Sequence, residues 1–261
     1  MNGVLERILA AKTEETAIRK KKWPVGNFYS SPLFDTKCIS LKESLMRPGA
    51  SGIVAEFKRK SPSAGDINPD AIPEVVAIGY AKAGASGLSV LTDFPFFGGS
   101  TLMLEKVKNA GTGIPVLRKD FIVDTYQVYE SKACGADVVL LIAACLSREN
   151  AAHLTALAKQ LGMEVLFEIH HAEELNMVPA DADLIGVNNR NLDTLKTDPQ
   201  TSFQLAPLIP DRFVRISESG ISSPEAVRAL KSAGYRGFLI GERFMKTSDP
   251  ALSCRDFIEK L

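Results

Sequence analysis

The chain is poor in the residues that build metal and disulfide sites. Its four cysteines, Cys38, Cys134, Cys145 and Cys254, are scattered over 261 residues without a Cys-x-x-Cys spacing, and it has three histidines, His153, His170 and His171. That pattern argues against a disulfide framework and against structural zinc. The adjacent His170 and His171 also lack the spacing of a helical metal site, so no metal is expected. Lysine plus arginine balances aspartate plus glutamate at 31 each, which removes the electrostatic case for nucleic acid or a membrane surface as partner. No apolar run approaches the roughly 18 to 20 residues that span a bilayer. Glu6 and Arg7 interrupt the N-terminal apolar segment too early for a signal peptide, and the expected location is the cytoplasm. The one run of like charge, Arg19-Lys20-Lys21-Lys22, suits the C-terminus of a helix. With these classes set aside, 45% hydrophobic and 24% charged residues describe an ordinary globular chain with a sizeable core, whose partner is a small molecule.

What the chain has is rhythm. From Ser51 onward, short apolar or β-branched runs recur: Gly52-Lys58, Gly87-Thr92, Pro115-Lys119, Asp137-Ile142, Glu164-Glu168, Leu184-Asn188, Phe213-Glu218 and Gly237-Gly241. Their ends fall at intervals of 20 to 35 residues, the period of a strand followed by a helix. Amphipathic stretches fill the gaps at Pro73-Ala83, Thr101-Asn109 and Ser147-Leu161, then near His171-Val178, Thr201-Leu208, Ser223-Ala233 and Ala251-Leu261. Ser223-Pro224-Glu225 is a helix start, with a capping serine and proline at the first helical position. Gly84, Gly135, Gly162 and Gly234 mark helix ends just before the next strand. Eight such units predict an α/β fold, a single closed (β/α)8 TIM barrel over residues 51–261. The glycine fingerprint of an open dinucleotide-binding sheet is missing. Residues 1–50 are expected to form an N-terminal helical extension: an amphipathic helix with Leu5, Ile8 and Leu9, then an irregular segment Trp23-Pro48, acting as a plug or lid.

Alternation along each strand puts Glu56 and Lys58 on the same side as Val54, Lys119 with Leu117, Glu168 with Leu166, Asn188 and Arg190 with Gly186, and Glu218 with Ile216. All lie at C-terminal strand ends, where a barrel carries its active site. An ion pair on a solvated edge would explain Glu56 and Lys58 alone. Acids and bases from five strands converging on one apolar mouth are better explained by catalysis, since they can shift one another's pKa values and divide acid and base work. Two glycine loops, Ser219-Gly220-Ile221 after strand seven and Ile240-Gly241-Glu242 after strand eight, let backbone amides approach an anion, and loops after these strands are the usual phosphate site of the fold.

Six motifs carry a resemblance to a known family: Glu56-Phe57-Lys58-Arg59-Lys60-Ser61-Pro62-Ser63, Leu91-Thr92-Asp93, Lys119-Asp120-Phe121-Ile122, Gly186-Val187-Asn188-Asn189-Arg190-Asn191-Leu192, Ser217-Glu218-Ser219-Gly220-Ile221 and Phe238-Leu239-Ile240-Gly241. In that order the chain resembles indole-3-glycerol phosphate synthase. The resemblance implies conversion of 1-(2-carboxyphenylamino)-1-deoxyribulose 5-phosphate to indole-3-glycerol phosphate, carbon dioxide and water in tryptophan biosynthesis, with no cofactor. It implies Lys119 as the general acid on the substrate carbonyl, Lys58 held by Glu56 as a binding group that assists the later dehydration, and Glu168 as acid-base partner or stabiliser of the cationic ring nitrogen. Asn188 and Arg190 would orient the anthranilate and sugar hydroxyls, Glu218 would position substrate, and Ser61, Ser219, Gly220, Gly241 and Glu242 would surround the phosphate. Glu242 departs from the small hydroxyl residue that many family members carry there, so its contribution would come from the backbone amide. Association with other tryptophan-pathway enzymes is left open.

Two further readings compete. Lys119 beside carboxylates is also what an imine-forming aldolase of phosphosugars requires. A catalytically idle phosphate-binding barrel would keep the glycine loops, but has no use for Glu56, Lys58, Lys119 and Glu168 together.

Overall fold

The computed structural model describes residues 3–192 and 194–261; the first two residues of the expected 1–50 extension lie outside them. Eight parallel strands close into a barrel: β1 Ile53–Phe57, β2 Gly87–Leu91, β3 Val116–Lys119, β4 Val138–Ile142, β5 Glu164–Ile169, β6 Leu184–Asn188, β7 Val214–Glu218 and β8 Gly237–Ile240. Each strand pairs with its sequence neighbours, and β1 closes the ring on β8 with Ile53 opposite Phe238. The sheet is buried on both faces, which is why its strands read as nearly continuous apolar runs. Val54, Leu117, Leu140, Leu166, Leu184, Ile216 and Leu239 fill the interior, while the opposite parity packs on the helices.

The helices expected between the strands are present, the one near His171-Val178 as a 3₁₀ helix Ala172–Met177; an unexpected helical turn, Phe94–Phe97, follows β2, and two longer segments also differ from expectation. The segment from Thr125 to Ala133 is a full helix closed by a capping box at Asp124 and Gln127. Its buried residues mix Tyr126, Val128 and Ala133 with Gln127, Glu130, Ser131 and Lys132, which blurs the hydrophobic periodicity. The segment expected to be irregular, Trp23-Pro48, contains a 3₁₀ turn at Val25–Ser30 and a short helix α2, Leu41–Met46. Ser40 caps α2 by accepting from the Glu43 amide at 3.0 Å, a capping pattern readable in Ser40-Leu41-Lys42-Glu43.

The extension serves both ends of the barrel. The first helix, α1, runs over Val4–Lys22, and its Val4, Leu5 and Ile8 line the pocket at the C-terminal mouth. Its buried residues are Ile8, Lys12 and Thr16, so the apolar stripe expected of it gives way to polar docking after two turns. The basic run near its end is engaged as well: Arg19 pairs with Glu15 and Glu130, and Lys20 with Asp124. The second helix seals the opposite end, where Leu41 and Leu45 join the interior cluster. Among the described residues, no helix is long and apolar enough to cross a membrane.

Candidate active site

Four strand ends carry the central charges. Lys119, the last residue of β3, directs its ammonium between two carboxylates, 2.8 Å from Glu168 Oε2 on β5 and 2.9 Å from Glu218 Oε2 on β7. The contact with Glu168 is a directed hydrogen bond; that with Glu218 is an ion pair in which neither carboxylate oxygen accepts a well-directed hydrogen bond. On β1, Glu56 Oε1 holds the Lys58 ammonium at 2.8 Å. All five groups face one pocket, with Asn188 and Arg190.

Burial and proximity set the protonation states. Burial by itself lowers the Lys119 ammonium, but Glu168, Glu218 and Glu56 outweigh it and hold the group above the ordinary lysine range. Burial raises a carboxyl, and Glu218 is pushed up to about 7, because Glu168 and Glu56 add to burial what Lys119 only partly offsets. For Glu168 the balance reverses: burial is overcome by Lys119 and His170, and the carboxylate sits well below its usual range. Glu168, 20 residues before Asn188, and Glu218, 30 residues after it, thus hold their protons with very different strength, a separation of roles that acid-base chemistry requires.

Space for these carboxylates comes from glycines. A Cβ on Gly186 would lie 2.2 Å from Glu218 Oε1, and one on Gly241 would lie 2.6 Å from Glu56 Oε1. Gly241, read from the sequence as an approach point for phosphate, is therefore also required by its neighbour on β1. At the other glycine loop, Ser219 and Gly220 both have positive φ, at 66° and 76°. Asn189 fixes that turn by donating to the Ser219 carbonyl at 3.0 Å, while its own Oδ1 accepts from the backbone and hydroxyl of Ser202.

The remaining predicted residues divide. Asn188 donates to Glu168 Oε1 at 3.0 Å, so it belongs to the lysine cluster. Arg190 belongs to the rim beside the Gly241-Glu242 loop: Nη1 donates to Ser63 Oγ at 2.5 Å, and Nη2 is 3.9 Å from Glu242 Oε2. Ser61 is buried, with its hydroxyl accepting from the Ala64 amide. Glu242 turns to Lys246 at 2.5 Å as well as to Arg190. Sequence reasoning missed His170, whose Nε2 lies 3.3 Å from Glu168 Oε1 and whose Nδ1 lies 3.7 Å from Glu174. Burial lowers an imidazolium, yet the two carboxylates raise His170 to about 9. Its parity with Glu168 was the available signal.

The profile of the indole-3-glycerol phosphate synthase family matches residues 5–257. The chain belongs to that family. An indole-3-glycerol phosphate synthase of Bacteroides thetaiotaomicron is 46% identical over the whole of both chains, and one of Laribacter hongkongensis is 44% identical over 96% of this chain and 97% of its own. Among solved structures, 3-hexulose-6-phosphate synthase from Salmonella typhimurium superposes with a TM-score of 0.63 at 14% identity, covering 80% of this chain and 98% of that one. The tryptophan synthase α subunit of Legionella pneumophila gives 0.60 at 15%, covering 84% and 95%. These two likenesses establish the barrel fold alone. As an indole-3-glycerol phosphate synthase, the protein is a decarboxylating lyase of tryptophan biosynthesis acting on a small phosphorylated substrate.

Proposed function

We propose that Lys119 is the general acid of ring closure in the conversion of 1-(2-carboxyphenylamino)-1-deoxyribulose 5-phosphate. The observation that carries this reading is its ammonium, clasped between Glu168 and Glu218 in the mouth, one of them ionised and the other near neutrality. As the aromatic carbon bonds to the sugar carbonyl carbon, Lys119 passes a proton to the carbonyl oxygen. Carbon dioxide then leaves, its bonding electrons returning to the ring. In the dehydration, the new hydroxyl takes a proton from Lys58 and departs as water, while Glu168 receives the proton lost from the adjacent carbon and indole aromaticity is restored. Glu218, at about 7, is able to trade a proton with Lys119, which eases the release of a proton the carboxylates otherwise hold tightly.

Binding roles follow from position. Asn188 holds Glu168 at 3.0 Å. The backbone at Ser219-Gly220 and Gly241-Glu242 takes the phosphate, with Arg190, anchored on Ser63, and buried Ser61 on the same rim. The apolar side of the pocket, with Leu140, Ile142 and Phe97, takes the anthranilate ring, and α1 serves as its lid. A diffusible substrate and a cytoplasmic setting fit a chain whose charges balance.

The test is fluorescence of the product's indole after adding the substrate to the folded protein. A rising signal that Lys119→Ala abolishes supports the assignment; a flat trace removes it.

A further inference from the structure

Only Ile8, Lys12 and Thr16 of α1 are buried, so the centre of the docked face is a cation. Lys12 is 3% exposed, and its ammonium lies 2.9 Å from Asp93 Oδ1, 3.0 Å from Asp120 Oδ1 and 2.9 Å from Glu15. Asp93 follows β2 and caps the Phe94–Phe97 turn by accepting from the Phe96 amide. Asp120 follows Lys119 directly, and its second oxygen is held by Thr92 and Arg118. One ammonium thus joins three elements that line the pocket: α1 through Val4, Leu5 and Ile8, the turn through Phe97, and the end of β3 through Phe121.

We propose that Lys12 is a positioning residue for substrate binding, the pin that holds α1 and the Phe94–Phe97 turn against the barrel so that their apolar side chains close over the substrate's aromatic ring. The proposal rests on the ring-side reading of the pocket given above. Weak apolar burial along α1 makes the pin necessary, since helices of this length dock chiefly by an apolar face. Burial disfavours the ammonium, but Asp120 and Asp93 more than restore it, so the pin stays charged. Lys119 is gripped independently by Glu168 and Glu218. Loss of Lys12 therefore removes contacts made to substrate and transition state alike, which raises KM and spares kcat.

The experiment compares wild type, Lys12→Met, Lys12→Arg and the charge-balanced Lys12→Met/Asp93→Asn in the indole fluorescence assay, with thermal melts and limited proteolysis. Wild-type turnover in the same assay verifies the underlying activity separately. In Lys12→Met, KM is expected to rise about tenfold or more with kcat within about threefold, and cleavage within α1 to accelerate. Lys12→Arg is expected to recover most of the loss. The double variant, which leaves no unpaired Asp93 charge, keeps the barrel folded should the single variant fail to fold, and carries the same KM defect. A wild-type KM in either folded Met variant overturns the proposal, as does a fall in kcat at unchanged KM.

Discussion

At the N-terminal end of the barrel, Leu41 and Leu45 of α2 enter over Gly87 and Gly237, where an added Cβ would meet Leu41 Cδ1 at 2.7 Å and Leu45 Cδ1 at 3.1 Å. At the C-terminal end the corresponding openings, over Gly186 and Gly241, are occupied by the carboxylates of Glu218 and Glu56. The strand β5 makes the contrast within a single element. Its first residue, Glu164, accepts from the Leu41 and Lys42 amides at 2.8 and 3.0 Å and from the Ser40 hydroxyl. Four residues later on the same face, Glu168 accepts from an ammonium and a side-chain amide at the edge of a cavity. A carboxylate filled by backbone donors at a helix N-terminus is committed to structure. One paired to side chains at the edge of a cavity is available for chemistry.

The sharpest way to break this comparison is Lys119→Met. Turnover is expected to fall by about 10²- to 10⁴-fold, the usual worth of a general acid, while circular dichroism stays native. A variant keeping a tenth of wild-type turnover would make the upper cluster structural like the lower one. Leu41→Ala strikes the other end: its side chain is 1% exposed, so denaturant melts should record a loss of about 2–5 kcal/mol, with kcat/KM of the folded fraction unchanged. Glu164→Gln refines the contrast within β5, costing about 1–3 kcal/mol through weakened charge-assisted bonds and leaving kcat within about twofold.

The smallest expected signal is a slope. Glu218 has its folded-state pKa raised from 4.5 to about 7, so the folded protein binds more protons there than the unfolded chain. Its stabilising contribution is complete below about pH 4.5 and disappears as pH rises through about 7, because ionisation of the buried group opposes folding. Urea midpoints of wild type and Glu218→Gln measured across that window should differ in slope, wild type losing stability relative to the variant as pH rises. Parallel curves would mean that Glu218 is ionised throughout, as Glu168 is.

Strand positions were legible because a barrel strand, buried on both faces, must be apolar along its length; Leu184–Asn188 matches the expected run from end to end. The convergence of Glu56, Lys58, Lys119, Glu168, Asn188 and Glu218 was legible from parity, since the period of two leaves no freedom about which face a residue joins. The helix Thr125–Ala133 was hidden because polar residues interrupt its buried apolar ones: Glu130 pairs there with Arg118, and Arg118 also donates to Ser131. Polar pairing of that kind between a strand and the helix after it leaves no periodic hydrophobic trace.

By itself, then, the sequence determined the eightfold alternation, the inward set of charges and the two glycine loops, all of which follow from local periodicity and backbone sterics. Only the tertiary structure decided which carboxyl has its pKa raised to about 7, that Gly186 and Gly241 make room for Glu218 and Glu56, that Arg190 stands beside Ser63 and Glu242, and that Lys12 ties α1 to the ends of β2 and β3. Each of those depends on distances between residues far apart in the chain, and both Coulomb energy and steric exclusion depend on such distances.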